Sequence, residues 1–238
     1  MKISVMIPTY NESENIEILL KDIIGLNIEN LYIVVVDDNS PDHTADIVNR
    51  FSKKHPDVNL LLRTSNKGRG SAGKAGFQYC LDNNSDIIIE MDADLSHNPK
   101  DIPKLLEAIK EADLVLGSRL VPGGRDGRPS VIRKMITVMA NFYIRTVLGL
   151  KVKDCNSGFR CFRRKVLEGI NVSRIESRGP DIVQEVLYKA SLKGFNIREV
   201  PITLIDRSLG KSKLGIKQLL KGYTRILELR FKHLMGLI

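Results

Sequence analysis

The sequence predicts an α/β fold, in which a mostly parallel central sheet carries helices on both of its faces. Five short apolar runs rich in β-branched residues occur in the first half of the chain. Helix-length segments separate these runs, and such alternation is typical of parallel sheets. The 238 residues, of which 42% are hydrophobic and 27% charged, suffice for one substantial globular domain.

The apolar runs are the predicted strands, because a run that is apolar throughout is typical of a strand buried on both faces. These strands are Ile3–Ile7, Tyr32–Val36, Asn59–Leu62, Asp86–Met91 and Asp113–Gly117. The segments between them are the predicted helices, which are Glu14–Ile24, Ala45–His55, Ala72–Asn83 and Pro99–Ala112. Thr44 and Asn98 stand directly before two of these helices, and both residue types are favoured as N-caps.

The second half of the chain has a less regular pattern. Val131–Leu150 is predicted to be a helix with apolar residues on one face, and Asp181–Lys193 is predicted to be another helix. Asn196–Ile205 is predicted to be an edge strand, because Pro201 cannot donate a hydrogen bond to a neighbouring strand.

The C-terminal segment combines apolar residues at helical spacing with a row of cations. The apolar spacing predicts an amphipathic helix over Leu214–Leu234. On this helix Lys217, Lys221 and Arg225 follow one another at intervals of four residues. Such a helix can lie in a membrane interface or pack on the domain, and the sequence leaves both open. We expect one main domain over 1–205, and over 206–238 a basic loop and helix that do not form an independent domain.

The net charge of +9 makes polyanions the natural partners of this chain.

The three cysteines have no paired spacing, which indicates a reducing compartment and packing roles for Cys155 and Cys161. The first predicted strand follows Met1 so closely that we expect no signal peptide. The longest uncharged apolar stretch, Met135–Ile144, is too short to span a bilayer.

Two carboxylates follow the fourth predicted strand in Asp92-Ala93-Asp94. Ligands of such sheets collect at the carboxyl ends of the strands. Two carboxylates there can hold one Mg²⁺ or Mn²⁺, which also bridges phosphate oxygens. Solvated loop aspartates are the alternative interpretation. His97 follows closely and either faces the site or has a structural role.

Asp37-Asp38 ends the second predicted strand, where a carboxylate can accept a hydrogen bond from a base or a ribose. The alternative is that it caps the next helix.

The segment from Gly68 to Ala75 superficially matches two nucleotide-binding motifs. The dinucleotide fingerprint belongs at the first strand–helix turn, and a P-loop needs Ser or Thr where Ala75 stands. A glycine-rich turn close to a diphosphate remains a possible interpretation.

Several cations lie in or beside predicted loops, where they can bind phosphate groups. These residues are Arg119, Arg133, Arg160, Arg207 and Lys213. A surface role is the alternative for any one of them. A nucleic-acid-binding module is a further alternative, but the 5% aromatic content without tryptophan gives it no stacking pattern.

At these residues the chain resembles family 2 glycosyltransferases of the GT-A fold, and within them the dolichol-phosphate mannose synthases. The resemblance spans nearly the whole chain. Its motifs are Ile7-Pro8-Thr9-Tyr10-Asn11-Glu12, Asp37-Asp38-Asn39-Ser40-Pro41-Asp42, Gly68-x-Gly70-Ser71-Ala72, Asp92-Ala93-Asp94-Leu95-Ser96-His97, Gly117-Ser118-Arg119, Asn156-Ser157-Gly158-Phe159-Arg160 and Asp206-Arg207-x5-Lys213-Leu214-Gly215. Asn39 and His43 stand where the family usually has glycine, and Ser96 stands where some relatives have glutamine.

The resemblance implies a set of site residues. The donor nucleoside would contact Pro8, Tyr10, Glu12, Val35 and Asp37. Donor and metal would be held by Asp92, Ala93 and Asp94, with Asp94 the firmest metal ligand. The donor diphosphate or the acceptor phosphate would contact Arg119, Arg207 and Lys213, and Arg133 would be a further acceptor contact.

The implied activity is the inverting, Mg²⁺- or Mn²⁺-dependent transfer of mannose from GDP-mannose to dolichyl or another polyprenyl phosphate. The implied place is the cytoplasmic face of a membrane, where the chain would be peripheral and a separate membrane-anchoring subunit is conceivable. The alternatives are transfer of glucose from UDP-glucose, another family 2 reaction, and a nucleotide-binding module without catalysis.

Overall fold

A computed structural model describes residues 1–206 and 216–237, with the side chains of 216–221 left out. Its centre is a seven-stranded sheet in the order β3-β2-β1-β4-β7-β5-β8. These strands are β1 (Ile3–Thr9), β2 (Leu31–Asp37), β3 (Val58–Leu62), β4 (Ile87–Glu90), β5 (Leu114–Ser118), β7 (Arg160–Arg163) and β8 (Ile197–Pro201). The short strands β6 (Arg125–Asp126) and β9 (Thr203–Leu204) pair with each other beside it.

The mostly parallel sheet that the sequence predicts is confirmed. In this sheet β7 alone runs antiparallel, and it lies between β4 and β5. An antiparallel strand begins at the edge where its parallel neighbours end. The loop before β7 therefore meets the ends of β4 and β5, so three loops converge at one edge.

Helices cover both faces of the sheet, as predicted. The helices are α1 (Ile16–Ile24), α2 (Thr44–Ser52), α3 (Arg69–Asp82), α4 (Ile102–Ala108), α5 (Val131–Leu148), α6 (Arg164–Gly169), α7 (Ile182–Leu192) and α8 (Ile216–Leu234). One hydrophobic cluster joins α1, α2 and α4 to the sheet, and the other joins α3 and α5–α8 to the opposite face. Apolar residues at helical spacing, such as Ile16, Leu19 and Leu20, bury one side of each helix.

Several predicted boundaries need correction. Pro99–Ala112 is a short helix flanked by two 3₁₀ turns. Asn98 caps the first turn through its side chain, as predicted, but Thr44 lies inside α2 and is not its cap. The predicted edge strand over Asn196–Ile205 is divided. Its first part, β8, lies at the sheet edge with Pro201 as its last residue, and its second part is β9.

The C-terminal helix packs on the domain and also exposes apolar side chains. Ile226 and Leu229 are buried in the core, whereas Leu227, Phe231 and Leu234 are exposed. Tyr143 of α5 donates a hydrogen bond to the Tyr223 carbonyl at 3.1 Å. Of the predicted cationic row, Lys217 and Lys221 have no described side chains. Arg225 does not extend that row outwards, because it pairs with acidic groups that include Glu176 and Glu228.

Two further expectations concern membranes and cysteines. In the part of the chain that the structure describes, no helix is both long enough and apolar enough to cross a membrane. Cys80, Cys155 and Cys161 are buried free thiols, which confirms the packing role predicted for the last two.

Candidate functional site

The loops that follow β1 and β2 are joined at the carboxyl edge of the sheet. Backbone N–H groups of the first loop donate to side chains of the second, which holds the two loops together. The bonds run from Asn11 N to Ser40 Oγ at 3.0 Å, from Glu12 N to Thr44 Oγ1 at 3.0 Å and from Ser13 N to Asp42 Oδ2 at 2.9 Å. The motif around Asp37 to Asp42 therefore shapes the adjoining loop.

Asp37 and Asp38 are both buried and both serve this loop framework. Asp37 accepts from the Thr9 hydroxyl at 2.8 Å and from the Ser40 N–H at 2.8 Å and hydroxyl at 2.7 Å. Asp38 pairs with Arg63 and accepts from the Gly68 N–H at 2.6 Å. Neither carboxylate caps α2, so the capping alternative is wrong for both, and direct contact of Asp37 with a nucleoside stays a prediction.

The other residues assigned to the nucleoside lie along the same two strands and loops. Tyr10 is exposed, Glu12 is half-buried and Pro8 is buried at the end of β1. Val35 is completely buried, and its side chain belongs to the hydrophobic core. A contact between Val35 and a donor therefore stays a prediction as well.

Asp92 and Asp94 follow β4 in a sharply turned loop. Leu95 has a φ of 60°, a conformation that costs a bulky side chain energy and is concentrated at functional sites. Asp94 Oδ1 holds the turn by accepting from the Ser96 N–H at 3.1 Å and hydroxyl at 2.6 Å. Ser96 thus supports Asp94.

A cavity of about 190 Å³ brings the two aspartates together with cations from other elements. Its lining includes Asp92, Asp94, His97, Arg119, Arg128, Arg133, Asn156, Ser157, Gly158 and Asp206. The carboxylates come from the β4 loop, Arg119 follows β5, and Arg133 lies in the first turn of α5. The structure therefore unites Asp92, Asp94, Arg119 and Arg133, as the sequence predicts. Ala93 lies between the aspartates and is buried.

Buried or partly buried acids hold two of the cations. Asp154 is completely buried and accepts from Arg119 Nε at 2.7 Å and Nη2 at 2.6 Å. Arg128 pairs with Asp126 and donates to the Thr137 hydroxyl at 2.7 Å. These bonds fix the guanidinium groups in orientation at the wall of the cavity.

Arg160 does not belong to this set, so its assignment as a phosphate-binding loop residue is wrong. It begins β7, is completely buried and pairs with Glu90 at the end of β4. Arg207 and Lys213 lie outside the described residues, and their assignments stay predictions.

His97 lies at the cavity wall and is packed there. Its ring stacks on Phe159, with 5.2 Å between ring centroids, and its Nδ1 accepts from the Asp92 N–H at 3.4 Å. Burial lowers the pKa of the His97 imidazole, although the carboxylates of Asp92 and Asp94 oppose the shift. His97 therefore combines the two roles that the sequence left open.

Three backbone N–H groups in and after the glycine-rich turn are occupied by acceptors of the protein, Gly68 N–H by the Asp38 carboxylate and two others by a carbonyl. The N–H groups of Gly70 and Ser71 both donate to the Arg178 carbonyl, at 2.9 and 3.4 Å. Lys74 donates to the carbonyls of Ser173 and Ile175. These groups already have partners in the protein, and the interpretation that the turn lies close to a diphosphate stays a prediction.

The donor set at Asp92 and Asp94 fits a divalent cation. Carboxylate oxygens suit Mg²⁺ and Mn²⁺, and Mg²⁺ commonly takes one or two carboxylates and completes its shell with substrate phosphates and water. Among the described residues no cluster of three or more His, Cys, Asp and Glu could hold a metal alone. A pair of carboxylates suits a cation whose remaining positions are filled by phosphate oxygens and water.

Sequence reasoning missed four residues of this region: Arg69, Arg128, Asp154 and Asn156. Asn156 belongs to one of the motifs that carry the family resemblance, but the motif alone predicts no role for it. Asp154 precedes that motif by two residues. The ion pairs of Arg69 and Arg128 depend on tertiary contacts that residue spacing does not reveal.

Comparison with known proteins finds relatives along most of the chain. An undecaprenyl-phosphate mannosyltransferase from Micrococcus luteus is 41% identical over 90% of this chain and 88% of its own length. A dolichol-phosphate mannosyltransferase from Pyrococcus furiosus is 42% identical over 96% of this chain and 64% of its own length.

Solved structures share the fold. Glucosyl-3-phosphoglycerate synthase from Mycobacterium tuberculosis, in complex with Mn²⁺, UDP and glucosyl-3-phosphoglycerate, has a TM-score of 0.70 at 18% identity, over 96% of this chain and 78% of that one. A mannosyltransferase from Pyrobaculum calidifontis, in complex with GDP-Man and Mn²⁺, has a TM-score of 0.65 at 19% identity, over 99% of this chain and 64% of that one. At such identities the likeness concerns the fold, which is the predicted GT-A architecture.

The sequence profile described as "Glycosyl transferase family 2" matches residues 4–170. These residues include β1 to β5, the Asp92-Ala93-Asp94 loop and the segment from Asp154 to β7. The resemblance drawn from the sequence motifs is thereby confirmed, and the chain belongs to glycosyl transferase family 2.

Proposed function

We propose that this chain transfers mannose from GDP-mannose to the phosphate of a polyprenyl phosphate, such as dolichyl phosphate, with inversion at the anomeric carbon. The observation that carries the proposal is the cavity in which Asp92 and Asp94 lie with Arg119, Arg128 and Arg133. A reaction that joins two phosphate-bearing substrates needs both a cation site and fixed positive charges. The names of the two mannosyltransferase relatives support the same sugar and acceptor.

The donor half of the site is assigned to the loops after β1, β2 and β4. In this proposal the nucleoside lies along Pro8, Tyr10, Glu12, Val35 and Asp37, whose loops are held together by hydrogen bonds. Asp92, Ala93 and Asp94 then face the diphosphate and the sugar. Arg207 and Lys213 are proposed as further contacts to the phosphates.

Asp92 and Asp94 would hold Mg²⁺ or Mn²⁺. When bound, the cation neutralises charge that builds up on the departing diphosphate. The protein's own side chains hold the charged groups of the site in orientation. Asp94 is oriented by Ser96, and Arg119 is oriented by Asp154, so these charges need little rearrangement as the reaction proceeds.

The acceptor half of the site is assigned to the cations. A phosphate monoester is already ionised at neutral pH, so no side chain has to remove a proton from it. Arg119 and Arg133 offset the repulsion between acceptor phosphate and donor diphosphate. An acceptor oxygen then forms a bond to the anomeric carbon from the face opposite the leaving group. The bond from that carbon to the diphosphate breaks, and GDP leaves with the electron pair.

A membrane surface is the proposed environment of this reaction, with the chain peripheral on the cytoplasmic face. Arg133 lines the cavity, and α5, to which it belongs, exposes seven large apolar side chains. The exposed side chains are Val131, Ile132, Met135, Ile136, Val138, Met139 and Phe142. A lipid whose phosphate enters the cavity would have apolar protein surface beside it. A separate membrane-anchoring subunit remains a prediction.

Transfer of glucose from UDP-glucose is the principal alternative, and the relatives' names do not favour it. The direct test incubates purified protein with Mg²⁺ or Mn²⁺, dolichyl phosphate and either labelled GDP-mannose or labelled UDP-glucose. Label in the organic-extractable fraction is then counted. We expect lipid label from GDP-mannose alone. Label from UDP-glucose alone would overturn the donor assignment.

Two variants assign the halves of the site. Asp94→Ala should abolish transfer, and near-normal activity would exclude its metal role. Arg133→Ala should raise the KM for the lipid phosphate, whereas Lys134→Ala is the matched control. Lys134 is the next cation on the same helix, and it does not line the cavity. Equal KM values in the two variants would contradict the acceptor role of Arg133.

A further inference from the structure

A chain of four charged side chains runs from the buried core to the Asp92 carboxylate. Arg160 Nε donates to Glu90 Oε2 at 2.8 Å, and its Nη1 donates to the Val183 carbonyl at 2.9 Å. The other oxygen of Glu90 accepts from Arg69 Nη2 at 2.9 Å. The same Arg69 nitrogen lies 3.1 Å from Asp92 Oδ1. Arg69 thus bridges a core carboxylate and a site carboxylate.

The exposed fraction of these four side chains rises from Arg160 to Asp92, towards the cavity. It is 0% for Arg160 and Glu90, 22% for Arg69 and 37% for Asp92. A buried carboxylate needs paired charge, and Glu90 takes it from both arginines. Arg69 is therefore held by a fully buried carboxylate, and the nitrogen that contacts Glu90 also reaches Asp92 at the site.

Two glycines provide the space for this arrangement. A Cβ atom at Gly73 would lie 3.3 Å from Arg69 Nη1, so the guanidinium lies closely against the surface of α3. A Cβ atom at Gly158 would lie 2.8 Å from Asp92 Oδ2. The Asp92 carboxylate thus contacts Arg69 through Oδ1, while its Oδ2 lies close to Gly158.

The arrangement also gives the glycine-rich motif before and within α3 a role other than phosphate binding. Arg69 is the residue between Gly68 and Gly70, and Gly73 follows one helical turn later. The N–H groups of Gly70 and Ser71 donate to the Arg178 carbonyl, which fixes the start of α3. The motif therefore places the Arg69 side chain, and Arg69 in turn places Asp92.

We propose that Arg69 is a positioning residue, which fixes the orientation of Asp92 for the divalent cation and the donor through its bridge to the buried Glu90. This inference rests on the proposed function, in which Asp92 holds donor and metal. Groups that orient metal ligands from outside the coordination shell typically change metal affinity or activity by about 10- to 100-fold when they are removed.

The sign of the effect separates positioning from simple charge repulsion. A guanidinium near a cation site repels the cation, so its loss would strengthen metal binding if charge alone mattered. If Arg69 fixes the geometry of Asp92, its loss should weaken metal binding instead. Metal affinity in the presence of a nucleotide is therefore the decisive quantity.

The experiment measures Mn²⁺ binding to the full chain in the presence of GDP, using the electron paramagnetic resonance signal of free Mn²⁺. We expect Arg69→Met to raise the half-saturating Mn²⁺ concentration about 10-fold. Arg69→Lys should give a smaller rise, because the ammonium group can still pair with one carboxylate. It should not restore wild-type binding, because it lacks the planar fork of the guanidinium. Arg69→Lys also keeps a cation beside Glu90 and serves as the test if Arg69→Met does not fold.

The matched control is Arg164→Met, which removes an arginine that pairs with Glu168 away from the cavity. It should leave Mn²⁺ binding unchanged. Unchanged or tighter binding in folded Arg69 variants would overturn the inference. Asp94→Ala, measured in parallel, identifies which proposal has failed. If Asp94→Ala loses Mn²⁺ but the Arg69 variants do not, the inference alone fails. If Asp94→Ala also binds Mn²⁺ normally, both proposals fail.

Discussion

Asn141 of α5 accepts a hydrogen bond from the Cys155 backbone N–H at 2.7 Å. The same amide oxygen accepts from the Asn156 side chain at 3.1 Å, and the amide nitrogen donates to the Thr137 carbonyl at 2.9 Å. Asn141 is buried, and Asn156 lines the cavity. One side chain therefore connects the helix with the exposed apolar face to the loop at the cavity wall.

Asn141→Leu should destabilise the fold, because it leaves the buried Cys155 N–H without its acceptor. An unsatisfied buried polar group costs about 1–3 kcal/mol, so we expect the free energy of unfolding to fall by about 2 kcal/mol. Urea denaturation measures this change. Thr146→Val, which removes an exposed hydroxyl from the same helix, is the control and should change stability by less than about 0.5 kcal/mol. Similar stabilities of the two variants would contradict the connecting role of Asn141.

Asp154→Asn should weaken both the fold and the proposed reaction, because it leaves the Arg119 guanidinium with a neutral partner. Removing one member of a buried ion pair typically costs about 3–5 kcal/mol. We expect an unfolding free energy lower by about 3 kcal/mol, since Asn preserves the volume and some hydrogen bonding. Urea denaturation tests this figure. The double variant with Arg119→Met should lose less than the sum of the single losses, and simple additivity would show that the pair is not coupled.

Phe142→Glu should weaken adsorption to vesicles of anionic phospholipid if the apolar face of α5 enters the membrane interface. Phe142 is 69% exposed, so the change should leave the fold intact. Loss of one buried apolar side chain is worth roughly 1.5–3 kcal/mol, which corresponds to a fall in membrane affinity of about 10-fold or more. Co-sedimentation with vesicles measures the affinity. Ile18→Glu introduces the same charge at an exposed position of α1, and this variant should bind vesicles like the wild type. Equal losses in both variants would exclude a specific role of α5.

Glu185 should make stability depend on pH in the acid range. Burial alone would raise the pKa of Glu185, but hydrogen bonds from Lys189, Ser177 and Glu176 outweigh burial and lower it. A carboxylate with a lowered pKa in the folded state stabilises the fold above its unfolded pKa of about 4.3. That contribution is lost as the pH falls through the folded pKa.

Glu185→Gln should therefore lower the unfolding free energy at pH 7, and the difference from the wild type should shrink below about pH 4. Urea denaturation across this range provides the measurement. Glu107→Gln is the control, because Glu107 forms an exposed pair with Lys110. A difference between Glu185→Gln and the wild type that stays constant with pH would show that Glu185 has no lowered pKa.

The sequence predicts most of the sheet, because β1, β2 and β4 are continuous apolar runs with clear ends. It does not predict β7, in which only Cys161 and Phe162 separate Arg160 from Arg163. An arginine normally indicates an exposed position, but Arg160 is buried because Glu90 pairs with it from 70 residues away. Local patterns contain no sign of such a partner, so the antiparallel strand and the bridge through Arg69 emerge only in three dimensions.

The site was predicted where its residues directly follow strands, as Asp92, Asp94 and Arg119 do. The departures from the family pattern also have a structural reason. Asn39 and His43, which replace the usual glycines, have φ angles of 52° and 67°. Asparagine and histidine are among the residues that adopt this left-handed conformation most readily, so the turns that glycine would make are kept. Residue spacing alone does not reveal that the Asp37 carboxylate already accepts hydrogen bonds from Thr9 and Ser40.

The absence of a side chain at Gly158 has a consequence for how this chain can diverge. Its Cβ would lie 2.8 Å from Asp92 Oδ2, so the restriction at position 158 is imposed by the neighbouring carboxylate. Replacement of Asp92 by a smaller residue would lift that restriction, so a substitution at 92 would permit a later one at 158. Among related chains, a larger residue at 158 would thus accompany either a smaller residue at 92 or a carboxylate that has turned away from this position.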